Sequence, residues 1–273
     1  MCATKDFLEA VCSMSGEFDL TGRSALVTGA GSATGIGFAT ARLLTEMGAS
    51  VLITSTTSRI YDRVEELRGQ GVDVRGLVGD LTDPTTASLL VAEATEHWGR
   101  LDVVVHNAGM TSLTSSESER GTIDEMSFAQ WQAGISRNLD TAFHVAKSCL
   151  PVMSAARWGR LVMVSSVSGP VMAMRGEPAY AAAKSAMVGL ARALAIDCAS
   201  HGVTVNAVAP GWIETGSQTP HEYSQGLFTP MGRSARPQEV AASIGWLASP
   251  SASYVTGQCL VVDGGNSIAE ERA

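Results

Sequence analysis

The sequence predicts an α/β fold: one domain built on a doubly wound sheet of about seven parallel strands, with helices on both faces. Three observations point there. Short runs rich in β-branched residues recur along the whole chain, at 24–28, 50–54, 72–79, 101–106, 160–165, 203–208 and 259–262. The segments between them carry apolar residues at helical spacing. The first run passes directly into a glycine-rich turn from which a helix opens. Runs that are apolar throughout, rather than alternating, suit strands covered on both faces, and parallel neighbours need crossovers of the kind these helices supply.

The first helix shows Ile36, Ala39, Leu43, Leu44 and Met47 on one face, and Gly48 ends the pattern. From Ser127 to Met153 a longer stripe runs through Phe128, Trp131, Ile135, Leu139, Phe143, Ala146 and Leu150. Near its middle stands Asn138, whose side chain competes for backbone hydrogen bonds. An exposed Asn on a long helix is the ordinary explanation; a local distortion beside a functional site is the sharper one. No linker, repeat or change of composition divides the chain. Residues 1–19 read as an N-terminal extension and 20–273 as the domain, with a polar insertion at Thr111 to Thr122 and a substrate loop at 216–236.

The chain has 273 residues, 45% hydrophobic and 17% charged, enough to bury a large core. A net charge of −8 without any Lys/Arg cluster speaks against nucleic acid or an anionic membrane as partner and for a small molecule. Cys2, Cys12, Cys149, Cys198 and Cys259 are scattered, with no metal-binding spacing, and read as reduced. Lys5, Asp6, Glu9, Glu17 and Asp19 interrupt the first twenty residues, so no signal peptide is read there and a cytoplasmic location is expected.

The glycine-rich turn contains Gly29, Gly31, Gly35 and Gly37. Glycines let backbone turn tightly and approach a pyrophosphate, and the opening helix adds free amides and a positive dipole end. Gly29, Gly31, Ser32, Gly35, Ile36 and Gly37 are therefore candidate cofactor contacts. The carboxylate that usually binds the ribose hydroxyls of NAD is missing after the second strand, where Thr54, Ser55, Thr56, Thr57 and Ser58 lead to Arg59. Hydroxyls and a guanidinium suit a 2′-phosphate, so Ser55, Thr56 and Arg59 favour NADP(H), with NAD(H) the alternative. An ordinary solvated cation is the bland explanation of Arg59.

Tyr180 and Lys184 stand four apart on an alanine-rich helix and share a face. A nearby ammonium favours a phenolate, which would make Tyr180 an acid/base near neutral pH. Ser165 and Ser166 end the preceding strand, Asn107, Ala108 and Gly109 end the fourth, and Pro210, Gly211, Ile213 and Thr215 follow the sixth. Loops from several strands thus converge on the carboxyl rim, where open α/β sheets place ligands. Singly, each of these residues is more often a turn former.

Together these motifs resemble the short-chain dehydrogenase/reductase family, in the form that includes 3-oxoacyl-acyl carrier protein reductases, from about Leu20 to Gly265. The family's TGxxxGxG is similar to Thr28, Gly29, Gly35 and Gly37, with two additional residues between the glycines. Its adenine-side aspartate resembles Asp80, followed by Leu81, and its NNAG motif resembles His106 to Gly109, with His in place of the first Asn. Asn138, Ser166, Tyr180 and Lys184 match the catalytic tetrad. Ser166 is taken as the serine because it begins the SVSG pattern. Pro210, Gly211 and Thr215 match the loop over the nicotinamide.

The resemblance implies a Rossmann-type fold and hydride transfer between a nicotinamide and a ketone or secondary alcohol, a 3-oxoacyl thioester being the first candidate. Ser166 would hold the alkoxide and Tyr180 donate the proton. Lys184 would lower the Tyr180 pKa and bind ribose hydroxyls, and Asn138 would help hold a water. A homotetramer is implied, with a dimer as alternative, and no metal. Competing readings are a cofactor-binding regulatory protein without turnover and a lyase or epimerase on the same scaffold. Residues 110–122, 171–177 and 216–236 are expected to line the substrate pocket, with Met172, Met174, Trp212, Tyr223, Leu227 and Phe228 making it apolar.

Overall fold

Successive side chains of a strand point to opposite faces of its sheet, so the apolar runs divide between two cores. The computed structural model describes residues 16–68, 73–109 and 120–271. In chain order these form β1 (Ser24–Thr28), α1 (Ile36–Glu46), β2 (Ser50–Ser55), α2 (Arg59–Leu67), β3 (Val74–Val78), α3 (Pro84–Trp98) and β4 (Val103–His106). There follow α4 (Phe128–Ile135), a π-helical turn (Ser136–Asp140), α5 (Thr141–Ala156), β5 (Gly159–Val164) and α6 (Pro178–Cys198). The chain closes with β6 (Val203–Pro210), α7 (Pro220–Leu227), α8 (Pro237–Ala248) and β7 (Cys259–Val262). Of the seven expected strands, the first and last match their ranges; Val72 of the third lies outside the described residues.

Ala25 and Val27 of β1 and Val51 and Ile53 of β2 pack with Phe38 and Leu44 of α1, Ile60 and Val64 of α2, and Val240 and Ile244 of α8. Leu26 and Leu52, one residue out of phase, pack with α3, α5 and α6 through Leu90, Val145, Cys149, Met187 and Ala191. All strand pairs are parallel, in the order β3-β2-β1-β4-β5-β6-β7. After β3 the chain returns past β1 to place β4 on its other side, so the loops leaving β1 and β4 diverge. Such a switch point opens a crevice at the carboxyl ends of the strands.

The stripe expected from Ser127 to Met153 is broken. Five residues around Asn138 adopt π-helical bonding, and Phe128 and Phe143 are exposed rather than in the core. A π-helical residue advances by a smaller angle than an α-helical one, so a face counted at α-helical period drifts outward past the turn.

Candidate active site

Thr28 ends β1, and its hydroxyl accepts from the backbone amides of Asn107 (3.1 Å) and Ala108 (3.0 Å) after β4. Asn107 Nδ2 in turn donates to the carbonyls of Thr28 (3.2 Å) and Gly29 (3.0 Å). The two loops of the crevice are thus pinned to each other. Gly29 has φ +68°, and a Cβ there would lie 2.9 Å from Asn107 Nδ2 and from Ala108 backbone. A Cβ on Gly37 would meet both Asn107 Nδ2 and the Gly29 carbonyl at 2.6 Å. The missing side chains therefore let the turn, the amino end of α1 and the loop after β4 close against one another, and that fixes the helix amides to which a pyrophosphate could bind.

On the far side of the same turn, Arg59 Nε lies 2.7 Å from where a Cβ of Gly31 would stand, alongside Ser55. Arg59 is exposed and has no ion-pair partner among the described residues. The Ser55 hydroxyl donates to the Thr57 carbonyl, leaving its lone pairs to accept. Asp80 is exposed just past β3, where its Oδ1 accepts from Thr82 N (2.9 Å) and Oγ1 (2.7 Å), while Leu81 turns into the core. Thr56 is exposed beside Arg59; Ser32 accepts from Gly35 N, and Ile36 begins α1.

His106, fully buried at the end of β4, makes long contacts of 3.4 Å to Thr28 Oγ1 through Nδ1 and to Thr141 Oγ1 through Nε2. Thr28 already accepts two amides, so its proton goes to Nδ1. His106 is then the Nε2–H tautomer donating to Thr141, which donates to the Arg137 carbonyl in the π-helical turn (2.9 Å). Burial and the Lys184 charge hold His106 down at about 3, so it stays neutral. The substitution at the first position of the NNAG-like motif thus keeps a connection there, joining the glycine turn to the π-helical turn. The residue type alone does not reveal the two threonines that complete it.

Asn138 sits in that π-helical turn, buried, with Nδ2 donating to the Gly134 carbonyl at 3.1 Å. Its Oδ1 has no partner among the described residues and stands 3.0 Å from where a Cβ of Gly109, at φ +123°, would be. A buried acceptor left open in this way is suited to a water or ligand. Ser165 and Ser166 part company after β5. Ser165 is buried and donates to the Lys184 carbonyl (2.8 Å), tying β5 to α6. Ser166 lines the same cleft as Tyr180, and its hydroxyl accepts from Ser168 N.

Lys184 is almost completely buried. Its Nζ donates to the Val164 carbonyl (3.0 Å) and lies 5.5 Å from the centre of the Tyr180 ring. Burial pushes Lys184 down to about 7. The expectation that Lys184 lowers the Tyr180 pKa is not met: burial drives Tyr180 up to about 12, against the lowering pull of the Ser166 side chain, with Glu177 and Glu222 adding to the rise. The same burial that brings the ammonium close also weakens its charge. Tyr180 is only partly buried and lines an open cleft, so water there works against that rise.

The cleft, of about 490 Å³, is lined by Ser166, Tyr180, Met172, Met174, Gly211, Trp212, Ile213 and Thr215, joined by Ser217, Gln218, Thr219 and Asn266. The expected apolar pocket is met in part, by Met172, Met174 and Trp212. Tyr223, Leu227 and Phe228 are exposed elsewhere on and after α7, and one wall is charged. Arg120 pairs with the buried Glu177 at 2.7 Å and reaches Glu222 of α7 at 3.9 Å. Helical periodicity explains this: α7 turns His221, Glu222 and Gln225 toward the cleft, which places its aromatic and leucine residues on the other side. Residues 110–119, also expected to line the pocket, lie outside the described residues. Pro210 ends β6, and Gly211 lies against β7, where a Cβ would meet Asp263 at 2.7 Å.

Residues 29–267 match the family model described as Enoyl-(Acyl carrier protein) reductase. The chain is 36% identical over 263 residues to oxidoreductase UcpA of Escherichia coli, an overlap of 92% of this chain and 97% of that protein. It is 37% identical over 251 residues to the 3-oxoacyl-[acyl-carrier-protein] reductase FabG of Pseudomonas aeruginosa, covering 90% and 98% of the two chains. It is 39% identical over 247 residues to cis-4-hydroxycyclohexanecarboxylate dehydrogenase of Sinomonas cyclohexanicum, covering 89% and 96%. A 7α-hydroxysteroid dehydrogenase, solved with NADH and 7-oxo glycochenodeoxycholic acid, superposes with a TM-score of 0.85, at 28% identity, over 94% of this chain and 99% of that one. The chain belongs to the short-chain dehydrogenase/reductase family of oxidoreductases.

Proposed function

We propose that this protein interconverts a ketone and a secondary alcohol, with NADP(H) favoured over NAD(H). The observation that carries the reading is the placement of Tyr180 in the same cleft as Ser166, with Lys184 Nζ 5.5 Å from the centre of its ring. The crevice suits a dinucleotide: Gly29 and Gly37 let the turn close on Asn107 and Ala108 at the amino end of α1, where helix amides favour a pyrophosphate, and Asn138 Oδ1 has no partner among the described residues. Gly29, Gly31, Ser32, Gly35, Ile36 and Gly37 would hold the phosphates, and Asn107, Ala108, Gly109, Pro210, Gly211, Ile213 and Thr215 the nicotinamide half. Ser55, Thr56 and Arg59 would take a 2′-phosphate, with Asp80 and Leu81 beside the adenine. When bound, the cofactor supplies or accepts the hydride.

Tyr180 gives its phenolic proton to the carbonyl oxygen during reduction, and Ser166 donates a hydrogen bond to the same oxygen as charge develops on it. The phenol is fully protonated at neutral pH and so holds the proton that reduction needs, while its raised pKa makes it a weaker acid. Oxidation needs the reverse transfer, and a fully charged Lys184 would assist it. Asn138 holds water on the path by which Lys184 regains its proton. A charged wall opposite the two methionines suits a substrate with both an apolar body and a polar end, and 3-oxoacyl thioesters are the first candidates. We further propose that residues 20–273 act as one domain, in the cytoplasm, as a homotetramer with a dimer as the alternative; exposed Ile196 on α6 and Val261 on β7 would lie in its interfaces.

The test follows NADPH and NADH oxidation in parallel against 3-oxoacyl thioesters, 3-oxo esters, cyclic ketones and diketones, and the reverse reaction with the matching alcohols. Turnover with NADPH at higher kcat/KM than with NADH supports the reading. Tight binding of both cofactors without turnover of any compound in either direction would favour a regulatory binding protein instead.

A further inference from the structure

The widened glycine turn reaches farther than the phosphates require. Thr34 lies in the stretch between Gly29 and Gly35 that carries the two additional residues, and Gly35 N donates back to the Ser32 carbonyl (3.1 Å), so that Thr34 forms an exposed tip. There its Oγ1 accepts a 2.9 Å hydrogen bond from the backbone amide of Gly216, 182 residues later. The approach is close: a Cβ on Gly216 would stand 2.6 Å from that same oxygen. Gly216 directly follows Thr215, whose hydroxyl is engaged with Ser217 (3.0 Å), and both Thr215 and Ser217 line the cleft beside Tyr180.

In the sheet, β4 and β5 stand between β1 and β6. The loops after β1 and β6 therefore meet only by bridging the rim on which Asn107 and Ser166 lie. We propose that Thr34 is a positioning residue that latches the loop after β6 to the glycine turn across the dinucleotide crevice. The two additional residues give the turn its reach. A dinucleotide running from the glycine turn toward Tyr180 passes under this bridge, so the bond has to open for the cofactor to leave. The inference rests on reading that crevice as the dinucleotide site.

The latch is a single exposed hydrogen bond, worth about a twofold to tenfold effect on an equilibrium or rate. NADPH release from the full-length protein is measured by stopped-flow displacement, for the wild type, Thr34→Val, Thr34→Ser and Gly216→Ala, together with hydrogen exchange at the Gly216 amide in the free protein. Thr34→Val keeps the shape and loses the acceptor; Gly216→Ala keeps the amide and forces the Thr34 oxygen away. Both should release NADPH about two to ten times faster, with the double variant no faster than the faster single one, and Thr34→Ser should stay near wild type. Thr34→Val should also exchange the Gly216 amide faster. Unchanged release or unchanged exchange in Thr34→Val would overturn the latch while leaving the cofactor site intact. A wild type that binds no NADPH would overturn the dinucleotide reading and the latch with it.

Discussion

Replacing Gly37 by Ala should destabilise this protein, although the same change inside most helices is favourable by about 0.5–1 kcal/mol. The new methyl would arrive 2.6 Å from both Asn107 Nδ2 and the Gly29 carbonyl oxygen. Ordinary contact begins at 3.4 Å, so α1 and the glycine turn must separate by roughly 0.8 Å. Separation weakens the hydrogen bonds from Asn107 Nδ2 to the Thr28 and Gly29 carbonyls, worth about 1 kcal/mol each, and overpacking adds about 1–3 kcal/mol. Set against the helix preference, the net loss is about 2–4.5 kcal/mol if both bonds are lost, or a fall in Tm of roughly 4–18 °C for a chain of this size. Gly35→Ala is the control, because its nearest neighbour is Ser32 Cβ at 3.2 Å, only about 0.2 Å inside ordinary contact, and its φ of −95° suits any residue; its Tm should move by less than about 2 °C. Thermal unfolding by circular dichroism, paired with NADPH titration, reads both variants. A Gly37→Ala protein that melts with the wild type, or a Gly35→Ala protein that loses as much, would refute the argument.

Arg59→Ala should weaken NADPH by about 5- to 30-fold, a charge-assisted contact discounted for exposure, and leave NADH within about twofold; fluorescence titration of both cofactors reads it, and equal losses for the two would contradict a 2′-phosphate role. Two buried bases give the pH dependence of stability. His106 is held at about 3 in the fold against 6.5 ordinarily, so between those values the unfolded chain carries a proton the folded one lacks, and stability falls as pH drops through the window. Lys184 is held at about 7 against 10.5, so by the same rule stability rises with pH from about 7 toward 10.5. Urea unfolding across pH should show the acid part of the slope reduced in His106→Asn and the alkaline part flattened in Lys184→Met; slopes identical to wild type would show that these groups titrate normally.

Most of the architecture was legible because fully buried parallel strands are written as unbroken apolar runs and their helices as periodic stripes. Glycines 29 and 37 were legible for a related reason, since backbone pressed against backbone tolerates no side chain. Asn138 stood out as a poor helix former in a helix, and the π-helical turn explains it. What the sequence hid depends on contacts between distant residues. Nothing local to His106 announces Thr28 and Thr141 as its partners. The charged wall is hidden in the same way, because Arg120, Glu177 and Glu222 come from three separate segments. Counting Tyr223, Leu227 and Phe228 as pocket residues treated composition as orientation, and α7 presents its other side to the cleft. The sign of the Tyr180 shift also depends on burial, which spacing on a helix does not reveal.

The most direct test of the central claim is Tyr180→Phe, measured with NADPH on whichever ketone the wild type reduces. If Tyr180 delivers the proton, kcat should fall by about 10²-fold or more, while the NADPH Kd stays within about twofold and the Tm is unchanged. A variant that retains a tenth or more of wild-type kcat would contradict the account.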